Sequence, residues 1–128
     1  MARMLTVGAA QLGPISREEP RAAVVDRLIA LLAQAGGKGC RLVVFPELAL
    51  TTFFPRWYME EQAEVDEFFE RDMPGKETRR LFDEAARRGI GFHLGYAELT
   101  EDAGGNWAGE PARARRFNGR VQRQQIGL

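Results

Sequence analysis

The residue of this sequence best placed to move a proton is Glu47, which follows Leu42, Val43, Val44, Phe45 and Pro46. The first four form a continuous apolar block with β-branched residues at its centre, and read as a strand buried on both faces. Proline has no N–H to give to a ladder and ends the strand. Glu47 is therefore expected just past the carboxyl end of a strand, the place where open α/β sheets bind ligands. Leu48, Ala49, Leu50, Phe53, Phe54, Pro55 and Trp57 come next, so the carboxylate is expected among apolar and aromatic groups rather than in water. Desolvation disfavours the ionised form of a glutamate and raises its pKa toward the working pH, which suits a general base and acid. The alternative is a carboxylate that accepts backbone N–H bonds from residues 51–54 and only shapes that loop.

Other chemistry-bearing residues are weighed against the same position. Arg56, beside this loop and next to Trp57, is a candidate to bind a substrate carboxylate, since a guanidinium can grip one through two parallel bonds. Asn118 is a candidate substrate contact that orients the loop near Glu47, or else a turn asparagine. Cys40, the only cysteine, precedes the strand at the end opposite to Glu47. A strand of about five residues separates the two by roughly 17 Å, too far to share a proton, so a small buried thiol is expected. Lys38 fails on the same ground, and Lys76 reads as a surface charge opening a helix. His93 is the only histidine. Without a second histidine or paired cysteines no metal site is expected, and His93 reads as a satisfied structural residue. Gly13-Pro14 lacks the spacing of a phosphate-binding glycine loop, and no cofactor is implied.

The elements that must position these residues follow from periodicity. Residues 5–11, with Leu5, Val7 and Ala9, read as a first strand closed by Gly13-Pro14. Ser16 and Glu19 have capping-box spacing, and Pro20 suits an early helical position. Val24, Val25, Leu28, Leu31 and Leu32 then recur on one helical face up to Gln34, with Gly36-Gly37 as the stop. A strand over 41–45 so soon afterwards implies a parallel pair joined by a right-handed crossover. Residues 59–70 suggest a short acidic helix with Val65, Phe68 and Phe69 on one face, and Met73-Pro74-Gly75 a break. Residues 76–88 form a further helix with Leu81, Phe82, Ala85 and Ala86 inward and Gly89 past its end. In residues 90–99, Ile90, Phe92, Leu94 and Tyr96 alternate with Gly91, His93, Gly95 and Ala97, a third strand with one thinly packed face. Residues 100–114 read as a polar loop.

Composition narrows the partners. The 128 residues suit one domain, and 45% hydrophobic with 28% charged residues is ordinary for a globular chain. Eighteen basic residues balance eighteen acidic ones, so no overall field draws in nucleic acid or an anionic membrane. The arginines from Arg113 to Arg123 read as a solvated or disordered tail rather than a nucleic-acid patch. No apolar run reaches the roughly 18 residues of a membrane span, the start of the chain does not read as a signal peptide, and one cysteine fits a reducing cytoplasm.

The run FPELALTTFFPRW, residues 45–57, resembles the glutamate segment of the nitrilase superfamily of carbon-nitrogen hydrolases, and in detail that of the N-carbamoyl-D-amino acid amidohydrolases. Further matches are QLGPI at 11–15, Pro74-Gly75, IGFHLGYAEL at 90–99 and RRFN at 115–118. The resemblance implies an α/β fold, the N-terminal portion of an α-β-β-α sandwich. Residues 1–118 are then part of a carbon-nitrogen hydrolase domain, and residues 119–128 a divergent tail entered through a frame change or truncation near Asn118. It further implies nucleophilic hydrolysis by a cysteine, a glutamate and a lysine, of which only the glutamate, Glu47, has a counterpart here; no lysine lies beyond Lys76. The substrate implied is a small N-carbamoyl amino acid and the full-length family homo-oligomeric, while this chain is expected to be inactive alone. Another amidase or nitrilase of the superfamily, or a non-catalytic interaction module, are the alternatives. The sheet face opposite the helices is expected to be bare.

Overall fold

Burial of two helical stripes against one face of a small sheet organises the chain. The computed structural model describes residues 2–99 and the backbone of residues 120–127. In chain order these form β1 (Val7–Ala9), α1 (Arg21–Gly37), β2 (Leu42–Val44), a 3₁₀ turn (Phe54–Arg56), α2 (Gln62–Asp66), α3 (Arg79–Arg88), β3 (Gly91–Leu99) and β4 (Arg120–Gly127). The sheet order is β1-β2-β3-β4. β1 and β2 run parallel, as do β2 and β3, with Val43 beside Gly8 on one side and Phe92 on the other. β4 returns antiparallel to β3. This is the mixed α/β arrangement expected.

Val24, Val25, Leu28 and Leu32 of α1 are fully buried, and the i, i+4, i+8 row Val24, Leu28, Leu32 explains why this segment is helical. Val25, Leu28 and Leu32, with Leu81 and Ala85 of α3, form one core with Val43, Phe45, Phe92, Leu94 and Tyr96 of the sheet. Phe92 is its centre, edge-on to Phe82 at 5.0 Å and tilted against Phe45 at 6.0 Å. Arg80 joins α3 to α1 through Asp26 at 2.6 Å and the Ala22 carbonyl at 3.0 Å. α3 ends where Gly89 takes a left-handed φ of 64°, a conformation that costs glycine little.

Several boundaries differ from the sequence reading. The capping box does not form: Pro20 is the N-cap of α1, and both Glu19 carboxylate oxygens accept from Arg27 at 2.9 Å. Arg27 also donates to the Leu12 and Pro14 carbonyls, so an ion pair with tertiary reach takes the carboxylate the cap would have used. α1 runs through Gly36-Gly37 because the Lys38 and Gly39 N–H groups still bond back to Ala35 and Gly36. The acidic helix shrinks to α2 because sheet bonds claim its far end: the Glu70 N–H donates to the Ala97 carbonyl and the Glu70 carbonyl accepts from Leu99. Of the solvated or disordered tail expected from Arg113 to Arg123, the part from Arg120 forms a strand instead, and residues 113–119 lie outside the described residues. Residues 120–127 pair along β3, where a nine-residue strand edge would otherwise leave a row of backbone groups unpaired. The loop expected at 100–114 and the asparagine Asn118 lie outside the described residues.

On the sheet face away from the helices, Leu5, Val7 and Val44 are 61%, 49% and 37% exposed. The far end of that face is not bare, because Leu48, Phe54, Met59, Val65 and Phe69 fold back over Ala97 and Leu99 as a second apolar cluster. No helix among the described residues is long and apolar enough to cross a membrane. Exposed apolar patches of this kind favour association, so the purified chain is expected to bind a hydrophobic dye and self-associate. The double substitution Val7→Thr, Val44→Thr should lower both signals while changing stability by no more than ~0.5 kcal/mol per site, as read by dye fluorescence, light scattering and urea unfolding.

Candidate active site

Beyond β2 the chain makes one more ladder bond, from the Phe45 N–H to the His93 carbonyl at 3.0 Å, and regains the sheet when the Ala49 N–H donates to the Gly95 carbonyl at 3.0 Å. Pro46, Glu47 and Leu48 lie between. Leu48 is the one non-glycine residue with positive φ, 46°, among those described, a conformation that sterics disfavour and that the surroundings must hold. The turn sends Leu48, Ala49 and Leu50 into the interior and leaves Glu47 outside. Gly95 lies directly beneath: a Cβ built there would sit 3.5 Å from the Glu47 Cα and the Leu48 N. A methyl group there would meet the arch at ordinary contact distance, so only a side chain larger than that of alanine would press on the Glu47 backbone.

Glu47 lines a hollow of about 180 Å³. One wall is Leu12, Gly13, Pro14 and Ile15, the loop after β1; the other runs from Pro46 to Phe53, with Arg56 at its edge. Ligand clefts usually have about 300–1,000 Å³, so this hollow has room for one small functional group. The expectation of a carboxylate shielded from water is corrected: Glu47 is exposed, because the apolar residues that follow it turn inward and none folds over it. Nor does its carboxylate accept a bond from residues 51–54; it has no hydrogen-bond or ion-pair partner among the described residues.

Arg56 is the sequence candidate brought to Glu47, since both line this hollow. Its guanidinium lies over the Trp57 ring, 4.9 Å from the centroid. Cys40 and Lys38 line a separate hollow with Gly8, Ala35 and Val43, at the other end of β2 as expected, and Cys40 is a buried free thiol. Lys76 is exposed, on a third hollow beside Arg21 and Glu70. His93 departs from the satisfied histidine expected. Its Nδ1 is buried without a hydrogen-bond partner among the described residues, since its β2 neighbour in register, Val44, has no group to offer.

Two features escaped the sequence reading. Arg17 reaches over the Trp57 ring at 5.2 Å and pairs with Glu64, so the segment after β1 is clasped to the loop after Glu47. Arg21 pairs with Glu70 and donates to the Glu67 carbonyl, pinning the far end of the same excursion to the start of α1. Neither pairing has a signal in local spacing, because each spans more than forty residues of chain. Burial pushes the Glu70 carboxyl above the ordinary value of 4.5, with Glu77 adding to the rise and Arg21 opposing it.

Comparison with known proteins bears on this site. The carbon-nitrogen hydrolase family profile matches residues 6–109, a stretch that contains both walls of the hollow. A cyanide hydratase of Penicillium rubens is 34% identical over 82 residues, covering 59% of this chain and 23% of that protein. The chain thus spans less than a quarter of the length of this curated relative.

Two outcomes are expected. Gly95→Ala should leave the fold intact, because its Cβ meets the Glu47 backbone at ordinary contact distance, whereas Gly95→Val should cost about 1–3 kcal/mol through overpacking and shift the Glu47 and Leu48 amide resonances. Since the folded-state pKa of Glu70 is raised, its contribution to stability is fully present below about 4.5 and lost as pH rises through the folded value. Relative to Glu70→Gln, the parent should therefore lose stability as pH rises above about 4.5; denaturant titrations showing the opposite slope would refute the assignment.

Proposed function

This chain belongs to the carbon-nitrogen hydrolase family, and on that premise we propose that Glu47 is the general base and acid of an amide-hydrolysing site whose substrate is an N-carbamoyl-D-amino acid. The observation that carries the reading is the place of Glu47: an unpaired carboxylate just past the carboxyl end of a parallel strand, on a hollow shared with an arginine. Hydrolysis of a ureido group by a thiol nucleophile needs a proton removed from the thiol and later delivered to the departing ammonia. One carboxylate does both in turn if it loses and regains a proton within reach of the reacting atoms. The exposed Glu47 is open to such an exchange. Products would be the free amino acid, carbon dioxide and ammonia.

The substrate class is supported by the run from Phe45 to Trp57 and by the matches at 11–15 and 90–99, which resemble the N-carbamoyl-D-amino acid amidohydrolases. Arg56 supplies a guanidinium for the substrate carboxylate. Asn118 is a further proposed contact, and residues 1–118 are proposed as the hydrolase part of the chain, with residues 119–128 a divergent tail. The family's cysteine and lysine have no counterpart near Glu47, because Cys40 and Lys38 line a different hollow. The chain alone is thus proposed to be inactive. Homo-oligomeric assembly and a cytoplasmic setting, in keeping with the free thiol of Cys40, complete the proposal.

The identity to a cyanide hydratase favours a second reading, a small neutral nitrile-like substrate, which suits the limited volume of the hollow. The apolar face at Val7 and Val44 favours a third, a non-catalytic interaction module.

Purified chain is expected to release no ammonia from N-carbamoyl-D-phenylalanine. A chimera in which residues 6–99 replace the matching segment of a complete N-carbamoyl-D-amino acid amidohydrolase should be active, and Glu47→Gln in it should lower kcat by about 10²–10⁴-fold. Activity on cyanide but not on the carbamoyl compound would favour the second reading; full activity in the glutamine variant would remove Glu47 from the chemistry.

A further inference from the structure

Trp57 lies under two guanidinium groups, Arg56 with its Cζ 4.9 Å and Arg17 with its Cζ 5.2 Å from the ring centroid. The two arginines are not equivalent. Arg17 pairs with Glu64 and also reaches over Phe68 at 6.0 Å, so its charge is met locally and its place is fixed by several contacts. The Arg56 guanidinium has no ion pair and no hydrogen bond among the described residues, and Arg56 lines the hollow that Glu47 lines. Stacking on an indole uses the flat face of a guanidinium. It leaves the N–H edge free for a carboxylate.

The electrostatics of the hollow give this arrangement a purpose. Glu47 is itself an anion there and, unopposed, would repel a ligand carrying a carboxylate while leaving a neutral amide or nitrile unaffected. Whether the hollow accepts an anion therefore depends on how firmly the Arg56 charge is presented at its edge. A free arginine side chain in water would spread over many rotamers and offer its fork only part of the time.

We infer that Trp57 is a positioning residue: held by Arg17, it forms a platform that presents the Arg56 fork at the hollow and so makes the site select carboxylate-bearing substrates over neutral ones. This rests on reading the hollow as the substrate site. It adds to that reading a specificity device whose parts, Arg17 and Trp57, do not line the hollow.

The test uses the purified chain and two small probes of equal shape, N-carbamoylglycine and its neutral amide, with binding followed through backbone amide resonances and the Trp57 indole N–H. The parent should bind the acid about tenfold more tightly than the amide, the difference expected for one charge-assisted contact. Trp57→Leu and Arg17→Met should each bring that ratio toward one without changing affinity for the amide, and Trp57→Phe, which keeps a ring face, should restore most of it. Because Trp57 is half-buried, circular dichroism of each variant accompanies the titrations, and Arg17→Met perturbs the clasp without touching the ring. A ratio that survives both Trp57→Leu and Arg17→Met but falls in Arg56→Gln would overturn the platform while leaving the substrate site standing. A parent that prefers neither probe would also overturn it, and a parent that binds neither would bring down the reading of the hollow and the inference with it.

Discussion

Two backbone hydrogen bonds govern the site: Phe45 to His93 and Ala49 to Gly95, both from the chain leaving β2 to the same strand, β3. Three residues must fit between them, and the first, Pro46, has no N–H to offer. The chain answers by arching over Gly95 with Leu48 in a left-handed conformation. Glu47 stands on the arch. Its position is thus set by the sheet beneath it, a rigid support, rather than by a free loop. Such an arch costs strain of order 1–3 kcal/mol, and burial of Leu48, Ala49 and Leu50 on its inner side offsets it.

The rest of the excursion from residue 46 to residue 70 is held at intervals. Leu48, Phe54, Met59, Val65 and Phe69 bury a second apolar cluster against Ala97 and Leu99, with Phe54 stacked on Phe68 at 5.1 Å. At its end Glu70 joins β3 through backbone bonds on both sides. Arginines from the segment before and at the start of α1 tie this excursion down: Arg17 through Trp57 and Glu64, Arg21 through Glu70 and the Glu67 carbonyl. Arg27 does the same for the opposite wall through Leu12 and Pro14. Exposed pairs of this kind contribute little to stability singly. Their value here is geometric, since together they set the separation of the two walls of the hollow.

Much of this follows from local pattern. The apolar block at Leu42–Val44 with Pro46 behind it places Glu47 at a strand end, the row Val24, Leu28 and Leu32 predicts the buried face of α1, and Gly89 marks the end of α3. The alternation in β3 separates its packed residues Phe92, Leu94 and Tyr96 from the face where His93 lies. The same local reading also identified Arg56 as a neighbour of the site, because it follows Glu47 by only nine positions.

By itself the sequence determined which side chains share a face in α1 and β3 and where α3 stops, since periodicity, proline and glycine act within a few residues of themselves. It did not determine how much water reaches Glu47, what clasps Trp57, that sheet bonds shorten the acidic helix, or that residues 120–127 pair with β3. Those outcomes depend on groups brought together from more than ten residues away in the chain, where packing and hydrogen-bond competition, rather than local preference, choose the partner.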